Sequence, residues 1–281
     1  MEKTKNTMEK KVILVTGASS GIGYDTAKAL ASRGHKVYAA ARRTELMEPL
    51  KEQGVSVMRM DVTDEQSMAD GVEAILKAEG RIDVLVNNAG YGYFGAIETV
   101  AMAEARRQLE VNVFGLARLC QLVLPAMRGR RSGRIVNISS VAGRSVIYFG
   151  GWYHVSKYSV EAFSDALRME VKPFGIDVSM IEPGAIKTDW GLIAADHLRE
   201  STRGTAYEHD ASRWAKTMHD MYSSNGLSSP AVVTRAILRA VESRRPRARY
   251  RCGRLSGTML FFHWLLPARW WDGLMRLSAR V

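Results

Sequence analysis

The sequence predicts an α/β fold in which helices cover both faces of one parallel sheet. Short apolar runs alternate along the chain with segments whose apolar residues recur at helical spacing. Strands that alternate with helices pair in parallel through right-handed crossovers. The strands are almost continuously apolar, as expected for a sheet that is buried on both faces. No linker divides the chain, so we expect a single doubly wound domain over residues 1–281.

Six strands are predicted from apolar runs that end in glycine or in polar residues. The first is "KKVILVTG" and the last is "IDVSMIEPG". The predicted strands are residues 10–17, 36–41, 55–62, 82–90, 133–140 and 176–184.

Four helices are predicted between these strands, because apolar residues recur at helical spacing and glycine or proline marks several of the ends. They are residues 21–34, 68–80, about 103–128 and 153–173. Residues 185–229 are polar and weakly periodic, which indicates a substrate loop or lid. Residues 255–281 are rich in aromatic and basic side chains, and we expect a helical extension there.

The composition is that of an ordinary globular protein, with 46% apolar and 25% charged residues. The N-terminal segment does not resemble a signal peptide, and no run of about 18 apolar residues predicts a transmembrane helix. Cys120 and Cys252 match neither a metal site nor a disulfide framework and agree with a reducing compartment. We therefore expect a cytoplasmic protein without a metal. The formal charge of +11 fits solvated surfaces, a polyanionic cofactor or anionic lipid, and no nucleic-acid recognition motif accompanies it.

A glycine-rich turn, "TGASSGIG", joins the first strand to the first helix. Gly17, Gly21 and Gly23 allow a tight turn and a close approach of the backbone to a phosphate. The N-terminus of the following helix offers free N–H groups and positive potential to an anion. The spacing differs from the more widespread G-x-G-x-x-G pattern, but the strand before it and the helix after it favour a dinucleotide site.

The residues after the second strand indicate which dinucleotide is bound. Enzymes that use NAD commonly place an acid there for the ribose 2′-hydroxyl, whereas an arginine accommodates the 2′-phosphate of NADP. Here Ala41 is followed by Arg42 and Arg43, and the first carboxylate is Glu45. A guanidinium binds a phosphate through two parallel hydrogen bonds, so we predict NADP(H), held mainly by Arg42.

Two further strand ends carry polar residues. Asp61, after the third strand, can accept a hydrogen bond from adenine or cap the helix that follows, and the residues alone do not separate these roles. The fourth strand ends in "NNAG", residues 87–90. Its asparagines can tie down neighbouring backbone, while Ala89 and Gly90 leave room for a cofactor.

Ser140, Tyr153 and Lys157 form the predicted catalytic group. Ser140 ends a strand at the carboxyl edge of the sheet, where ligands bind in parallel sheets. Tyr153 and Lys157 are four residues apart and share one face of a helix. A free tyrosine has a pKa of about 10, which the ammonium and an oxidised nicotinamide are expected to lower. Tyr153 can then exchange a proton with an alcohol or a carbonyl that Ser140 holds in place.

Four motifs, "TGASSGIG", "NNAG", "NISS" and "YHVSK", occur in an order that resembles the short-chain dehydrogenase/reductase family. The resemblance covers about residues 11–188 and implies a Rossmann-type domain with a sheet of about seven strands. It implies that Asp61 meets the adenine. Asn112 matches the family's catalytic asparagine, which kinks a helix and holds a water in a proton relay with the lysine. "PGAIKT", residues 183–188, resembles the segment that binds the nicotinamide carboxamide.

The complete predicted site has three parts. The catalytic residues are Asn112, Ser140, Tyr153 and Lys157. The cofactor contacts are Gly17, Ser19, Ser20, Gly21, Ile22, Gly23, Arg42, Arg43, Asp61, Val62, Asn88, Ala89, Gly90, Tyr153, Lys157, Pro183, Gly184, Ile186 and Thr188. The substrate pocket, whose aromatic rings favour an apolar substrate, comprises Tyr93, Ser140, Val141, Tyr148, Trp152 and Trp190.

Within the family, "NNAGYGYFGAIE" and "IEPGAIKTDW" are similar to the branch of 17β-hydroxysteroid and retinol dehydrogenases. This similarity implies an apolar substrate of steroid, retinoid or lipid type. The family also implies a homodimer or homotetramer built on helices 103–128 and 153–173. The aromatic C-terminal extension is interpreted either as a lid or dimer contact, or as an interfacial helix on anionic lipid.

The expected activity is NADP(H)-dependent interconversion of a secondary alcohol and a ketone, or of a primary alcohol and an aldehyde. The alternatives are a dinucleotide-sensing regulator without turnover, a binder of nucleic acid or anionic membrane, and an epimerase or dehydratase acting on a nucleotide sugar. The joint presence of Ser140, Tyr153 and Lys157 argues against the regulator. The Ala41–Arg42 pair and the short substrate region argue against a nucleotide sugar.

Overall fold

Strands of a single parallel sheet form the centre of the computed structural model, which describes residues 9–254 and 256–279. They are β1 (Val12–Thr16), β2 (Lys36–Ala41), β3 (Ser56–Arg59), β4 (Val84–Asn87), β5 (Gly133–Ile138), β6 (Ile176–Pro183) and β7 (Arg249–Cys252). Their order across the sheet is β3-β2-β1-β4-β5-β6-β7, with every neighbouring pair parallel. The predicted doubly wound α/β fold with about seven strands is confirmed.

Helices connect the strands and cover both faces of the sheet. They are α1 (Gly21–Ser32), α2 (Glu48–Lys51), α3 (Glu65–Glu79), α4 (Met102–Leu109), α5 (Gly115–Gly129), α6 (Gly151–Val171), α7 (Trp190–Thr202), α8 (Glu208–Ser223), α9 (Ala231–Glu242), α10 (Ser256–Leu265) and α11 (Ala268–Ala279).

Two apolar layers bury the faces of the sheet. Successive residues of a strand point to opposite faces, so Ile13 and Val15 of β1 lie in one layer and Val12 and Leu14 in the other. The first layer includes residues of α1 and α9, and the second includes residues of α3, α5 and α6. The carboxyl ends of the strands carry the predicted site.

Helix α3 begins three residues earlier than predicted, at Glu65. The reason is a side-chain cap, because Asp64 Oδ1 accepts a hydrogen bond from the backbone N–H of Ser67 at 3.1 Å. Such a cap satisfies one of the N–H groups that a helix leaves free at its start. The first turn therefore forms from polar residues that show no apolar periodicity.

The helix predicted near residues 103–128 is interrupted by a wider turn. Glu110–Phe114 form a π-helical turn between α4 and α5. The whole run, Met102–Gly129, is 28 residues long and apolar enough to cross a membrane by length and composition, contrary to the expectation from the sequence. Leu119 and Val123 are buried in the second apolar layer, so packing against the sheet accounts for the apolar face of this helix.

The segment 185–229, predicted to be a substrate loop, is mostly helical. It contains α7 and α8, which pack on each other through Ala194, Ala195, Ala211 and Ala215. Alanine contributes little to an apolar periodicity, which is why the pattern was weak. The predicted helical extension near the C-terminus is present as α10 and α11.

Part of the positive charge is used inside the fold. Arg134 Nη1 donates to the carbonyl oxygen of Ala240 at 2.9 Å, and Lys11 Nζ donates to that of Val241 at 2.9 Å. These cations lie at the C-terminus of α9, where a helix leaves carbonyl groups free and carries negative potential. Arg134 therefore stabilises the fold and does not contribute a free charge to a binding surface.

We predict that Asp64→Ala lowers the free energy of unfolding by about 1 kcal/mol, because the N–H of Ser67 loses its acceptor. Chemical denaturation of both proteins measures this change. Glu73→Ala, at an exposed position inside the same helix, is the control and should stay within about 0.5 kcal/mol of the wild type. Equal losses in the two variants would contradict the cap.

Candidate active site

The glycine-rich turn is fastened to the end of β4 by side chains. Asn88 Nδ2 donates to the carbonyl oxygens of Thr16 and Gly17, at 3.0 and 3.2 Å. Thr16 Oγ1 in turn accepts from the backbone N–H groups of Asn88 and Ala89, both at 3.1 Å. The predicted role of "NNAG" in tying down neighbouring backbone is thus seen in atomic contacts.

Two glycines of this turn cannot carry a side chain. Gly17 has φ +64°, and a Cβ there would lie 2.7 Å from Ala89 Cα. A Cβ on Gly23 would overlap the carbonyl oxygen of Gly17 and the side chain of Asn88. The backbone therefore turns tightly enough to bring the N-terminus of α1 to the edge of the sheet.

Gly21 occupies the exposed N-terminus of α1, whose first turn contains no acid. Thr188 Cγ2 lies 3.8 Å from the position that a Cβ on Gly21 would take. The segment that leaves the end of β6 at Pro183 and continues through Gly184 and Ile186 therefore reaches across to the glycine-rich turn. Ser19, Ser20 and Ile22, which were predicted to contact the cofactor, lie within the same turn.

Arg42 and Arg43 are exposed at the carboxyl end of β2, and Arg43 Nη2 lies 3.5 Å from Ser19 Oγ. Asp61 Oδ1 accepts from the N–H and the hydroxyl of Thr63, at 3.0 and 2.8 Å. Burial opposes the charge of Asp61, but these hydrogen bonds and the nearby Arg42 outweigh it, and the pKa of the carboxyl lies below its ordinary value. Since Asp64 caps α3, Asp61 does not serve as the cap; Val62 beside it is buried.

Asn112 projects from the π-helical turn into the protein. Its Nδ2 donates to Tyr91 O at 2.9 Å and to Ser156 Oγ at 3.0 Å, and its Oδ1 accepts from Tyr91 N at 3.0 Å. The amide thus links the loop after β4 to α6. A Cβ built on Gly90 would lie 3.1 Å from Asn112 Oδ1 and 3.8 Å from Lys157 Nζ, so these two predicted catalytic groups flank the same glycine.

Lys157 is buried beside the end of β5. Its Nζ donates to the carbonyl oxygen of Ile138 at 2.9 Å. Burial lowers the pKa of Lys157 to about 8, although Glu161 acts in the opposite direction. The ammonium lies 5.9 Å from the centre of the Tyr153 ring.

Tyr153 is also buried, and burial raises the pKa of its phenol to about 12, against a lowering by the hydrogen bond with Ser140. The direction is opposite to the expectation from the sequence. The expectation counted the charges of the Lys157 ammonium and of an oxidised nicotinamide, whereas in the free protein burial of the phenol is the largest influence on its pKa. Ser140 Oγ donates to Pro183 O at 3.3 Å and accepts from Ala142 N at 3.1 Å, which fixes the hydroxyl between β5 and β6.

An aromatic enclosure surrounds the phenol of Tyr153. The Trp190 ring centre lies 5.0 Å and the Phe94 ring centre 5.8 Å from that of Tyr153. Tyr222 lies 6.3 Å from Trp190 and leaves no room for a side chain on Gly191. Trp190 was predicted to line the pocket, whereas Phe94 and Tyr222 were not.

The other predicted pocket residues are distributed around this enclosure. Val141 is buried directly after Ser140. Trp152 precedes Tyr153, and its indole Nε1 is buried without a hydrogen-bond partner among the described residues. Tyr93 stacks on His197 at 4.6 Å, and the hydroxyl of Tyr148 accepts from Arg276 Nε of α11 at 2.8 Å. Tyr148 is therefore engaged by the C-terminal extension.

His154, within "YHVSK", is a site residue that the sequence reasoning missed. Its Nδ1 lies 2.9 Å from Ala142 O and its Nε2 3.1 Å from the N–H of Ile147. The neutral ring with a proton on Nδ1 satisfies both partners. Burial lowers the pKa of His154. Its place beside the predicted catalytic tyrosine in the motif was the available signal.

The comparison with known families agrees with this geometry. The sequence profile described as short chain dehydrogenase matches residues 11–195. The chain belongs to the short-chain dehydrogenase family. Its glycine-rich turn, buried Tyr153–Lys157 pair and parallel sheet are therefore those of a family of oxidoreductases.

Members of the short-chain dehydrogenase family resemble the chain over much of its length. A short-chain dehydrogenase from Streptomyces avermitilis is 33% identical, with a TM-score of 0.80, over 96% of this chain and 99% of that one. A metagenomic short-chain oxidoreductase, solved in complex with NADP, is 33% identical, with a TM-score of 0.61, over 64% of this chain and 85% of that one. A 3-ketodihydrosphingosine reductase of Bacteroides thetaiotaomicron is 43% identical over 64% of this chain and 66% of its own.

The residues of this short-chain dehydrogenase fit a dinucleotide. The close approach at Gly17 and Gly23 leaves backbone, without side chains, at the N-terminus of α1. That terminus attracts a phosphate, and no acid in the first turn opposes it. Arg42 and Asp61 follow β2 and β3, whereas Lys157 contacts the end of β5 and Thr188 follows β6.

We predict that the wild type loses stability as the pH falls below about 6.5, because the unfolded chain binds a proton at His154 while the folded ring stays neutral. Thermal unfolding between neutral and mildly acidic pH measures this. The stability of His154→Gln should change less with pH over the same range. The difference in stability between the wild type and this variant should therefore shrink as the pH falls. His35 is present in both proteins, and exposed His209→Gln controls for removing one histidine. Parallel profiles of wild type and His154→Gln would contradict the assignment.

Proposed function

We propose that the protein is an NADP(H)-dependent oxidoreductase that interconverts an apolar secondary alcohol and a ketone. The observation that carries this proposal is the arrangement of Ser140, Tyr153 and buried Lys157 beside a glycine-rich turn suited to a dinucleotide. The family provides the reaction class, because its members are oxidoreductases.

Proton transfer in this proposal belongs to Tyr153. Its pKa of about 12 means that the phenol is protonated at neutral pH, which is the form that donates a proton to a carbonyl oxygen. Ser140 Oγ, which donates to Pro183 O and accepts from Ala142 N, would orient that oxygen by redirecting its single hydroxyl hydrogen to it. NADPH, when bound, supplies the hydride.

NADP(H) is proposed over NAD(H) because of the charges after β2. Arg42 and Arg43 are exposed there, and the charge of Arg42 helps to lower the pKa of the Asp61 carboxyl. A guanidinium at this place suits the 2′-phosphate, and Asp61 suits the adenine amino group. The NADP complex of a relative that is 33% identical supports the same choice.

The substrate class follows from the enclosure of Tyr153. Trp190 and Phe94 present apolar rings to the phenol of Tyr153, Tyr222 packs against Trp190, and such walls bind apolar ligands. One relative is named 3-ketodihydrosphingosine reductase. We therefore place the substrate among ketones that carry a long or bulky apolar group.

We predict that Arg42→Ala weakens NADPH binding by about tenfold to a hundredfold, which corresponds to about 1.5–3 kcal/mol for a charged hydrogen bond. NADH binding should be nearly unchanged. Energy transfer from tryptophan to the nicotinamide during titration measures both affinities. Arg203→Ala, at another exposed arginine, should bind both cofactors as the wild type does. Equal affinity of the wild type for NADPH and NADH would refute the phosphate site while leaving the reaction class intact.

We predict that Tyr153→Phe lowers kcat/KM for ketone reduction by about a hundredfold to ten-thousandfold, because the proton donor is lost. The assay follows the loss of NADPH absorbance with steroid, retinoid and long-chain ketones. NADPH affinity should stay close to that of the wild type, since the ring remains. Tyr158→Phe, an exposed tyrosine on the same helix, is the matched control. Undiminished turnover in Tyr153→Phe would overturn the assignment.

A further inference from the structure

The two C-terminal helices, α10 and α11, are docked on the substrate side of the candidate site. We call them the C-terminal helix pair. Trp271 is only 4% exposed, and its indole Nε1 donates to Val146 O at 3.1 Å. Arg276 Nε donates to the Tyr148 hydroxyl at 2.8 Å, and Ala279 is buried in the same cluster as Phe94 and Tyr153. One side of the pair therefore has a defined partner in the domain.

The opposite side of the C-terminal helix pair is exposed and apolar. It carries seven of the sixteen large apolar side chains that are exposed among the described residues. Trp264 and Leu277 are each 78% exposed and Trp270 is 71% exposed. A concentration of this kind marks an interaction surface. The seven residues are Phe261, Phe262, Trp264, Leu265, Trp270, Leu274 and Leu277.

The exposed residues of α11 share one face. Trp270, Leu274 and Leu277 are spaced by four and three residues, which places them on one stripe of a helix. Trp271 and Ala279, eight residues apart, form the buried stripe. Helix α11 therefore has two apolar stripes. One packs on the domain, and the other faces outward, where an ordinary surface helix would carry polar residues.

The charges beside this face are positive. Arg254, Arg269 and Arg276 are exposed, whereas Asp272 is the single acid in the sequence of the pair. The whole chain has a formal charge of +11. Tryptophan, phenylalanine and leucine on one face, with arginine at its border, are typical of helices that lie in the interface of an anionic bilayer.

We propose that the outer face of the C-terminal helix pair binds the surface of an anionic membrane. The helices have 10 and 12 residues, too few for the roughly 20 that a spanning helix needs. They would lie along the bilayer, with the tryptophans at the level of the headgroups. The inner side would hold the loop of Val146 and Tyr148 close to the membrane. This binding is independent of the proposed reaction; delivery of a lipid ketone to Tyr153 would rest on that reaction.

The test is sedimentation of the full chain with phosphatidylcholine vesicles, with and without phosphatidylglycerol. Wild type should sediment with the anionic vesicles, bind the neutral ones more weakly, and be released by added salt. The variant Trp264→Ser/Trp270→Ser/Leu277→Ser should lose about tenfold or more of the affinity, because burial of each side chain is removed. Ile97→Ser/Met169→Ser, at apolar positions 69% and 64% exposed elsewhere, should bind as the wild type does.

Thermal unfolding and NADPH titration of the same variants show that the domain is intact. Anionic vesicles that do not sediment the wild type would overturn the proposal, as would equal binding by the triple variant. Light scattering identifies the competing occupant: if the triple variant dissociates an oligomer and vesicles do not bind the wild type, the face is a contact between copies of the chain. None of these measurements depends on turnover, so the membrane-binding result can be interpreted even if no ketone is reduced.

Discussion

The junction of β1 and β4 is the constraint on which the candidate site depends. The sheet order changes direction there, because β2 and β3 lie on one side and β5 to β7 on the other. Parallel sheets bind ligands at such a point. Thr16 and Asn88 close the junction with four hydrogen bonds between side chain and backbone, each 3.0–3.2 Å long. The position of the glycine-rich turn, and hence of the N-terminus of α1, follows from those bonds.

Burial is the second physical theme of the site. Lys157 and Tyr153 are both removed from water, and each is shifted towards its neutral form, with pKa values of about 8 and about 12. The groups that meet them are mainly backbone carbonyls and aromatic rings. Such a setting strengthens every charge that a ligand brings into it. A charge brought close to this pair would therefore act strongly on its protonation.

The sequence was sufficient where the pattern is local. β2 has the predicted bounds, and Ser140, Tyr153 and Lys157 meet at the predicted edge, because strand ends and helix faces follow from short-range spacing. The sequence was insufficient where contacts between distant segments determine the structure. The helices of 185–229 pack through alanines, which leave a weak pattern. Tyr222 reaches Trp190 only because α8 packs on α7, and the direction of the Tyr153 pKa depends on burial.

The π-helical turn at Glu110–Phe114 predicts what would happen if one residue were removed from this helix. A π turn holds one residue more than a regular turn, so deleting one residue there would restore uniform α-helical hydrogen bonding. Each residue of a regular helix rotates by about 100°, and the deletion would swing Asn112 away from Tyr91 and Ser156. The shortened helix would be more regular, but the loop after β4 would lose its hydrogen bonds to Asn112. At this turn, regular helical hydrogen bonding is given up in exchange for the position of the Asn112 side-chain amide.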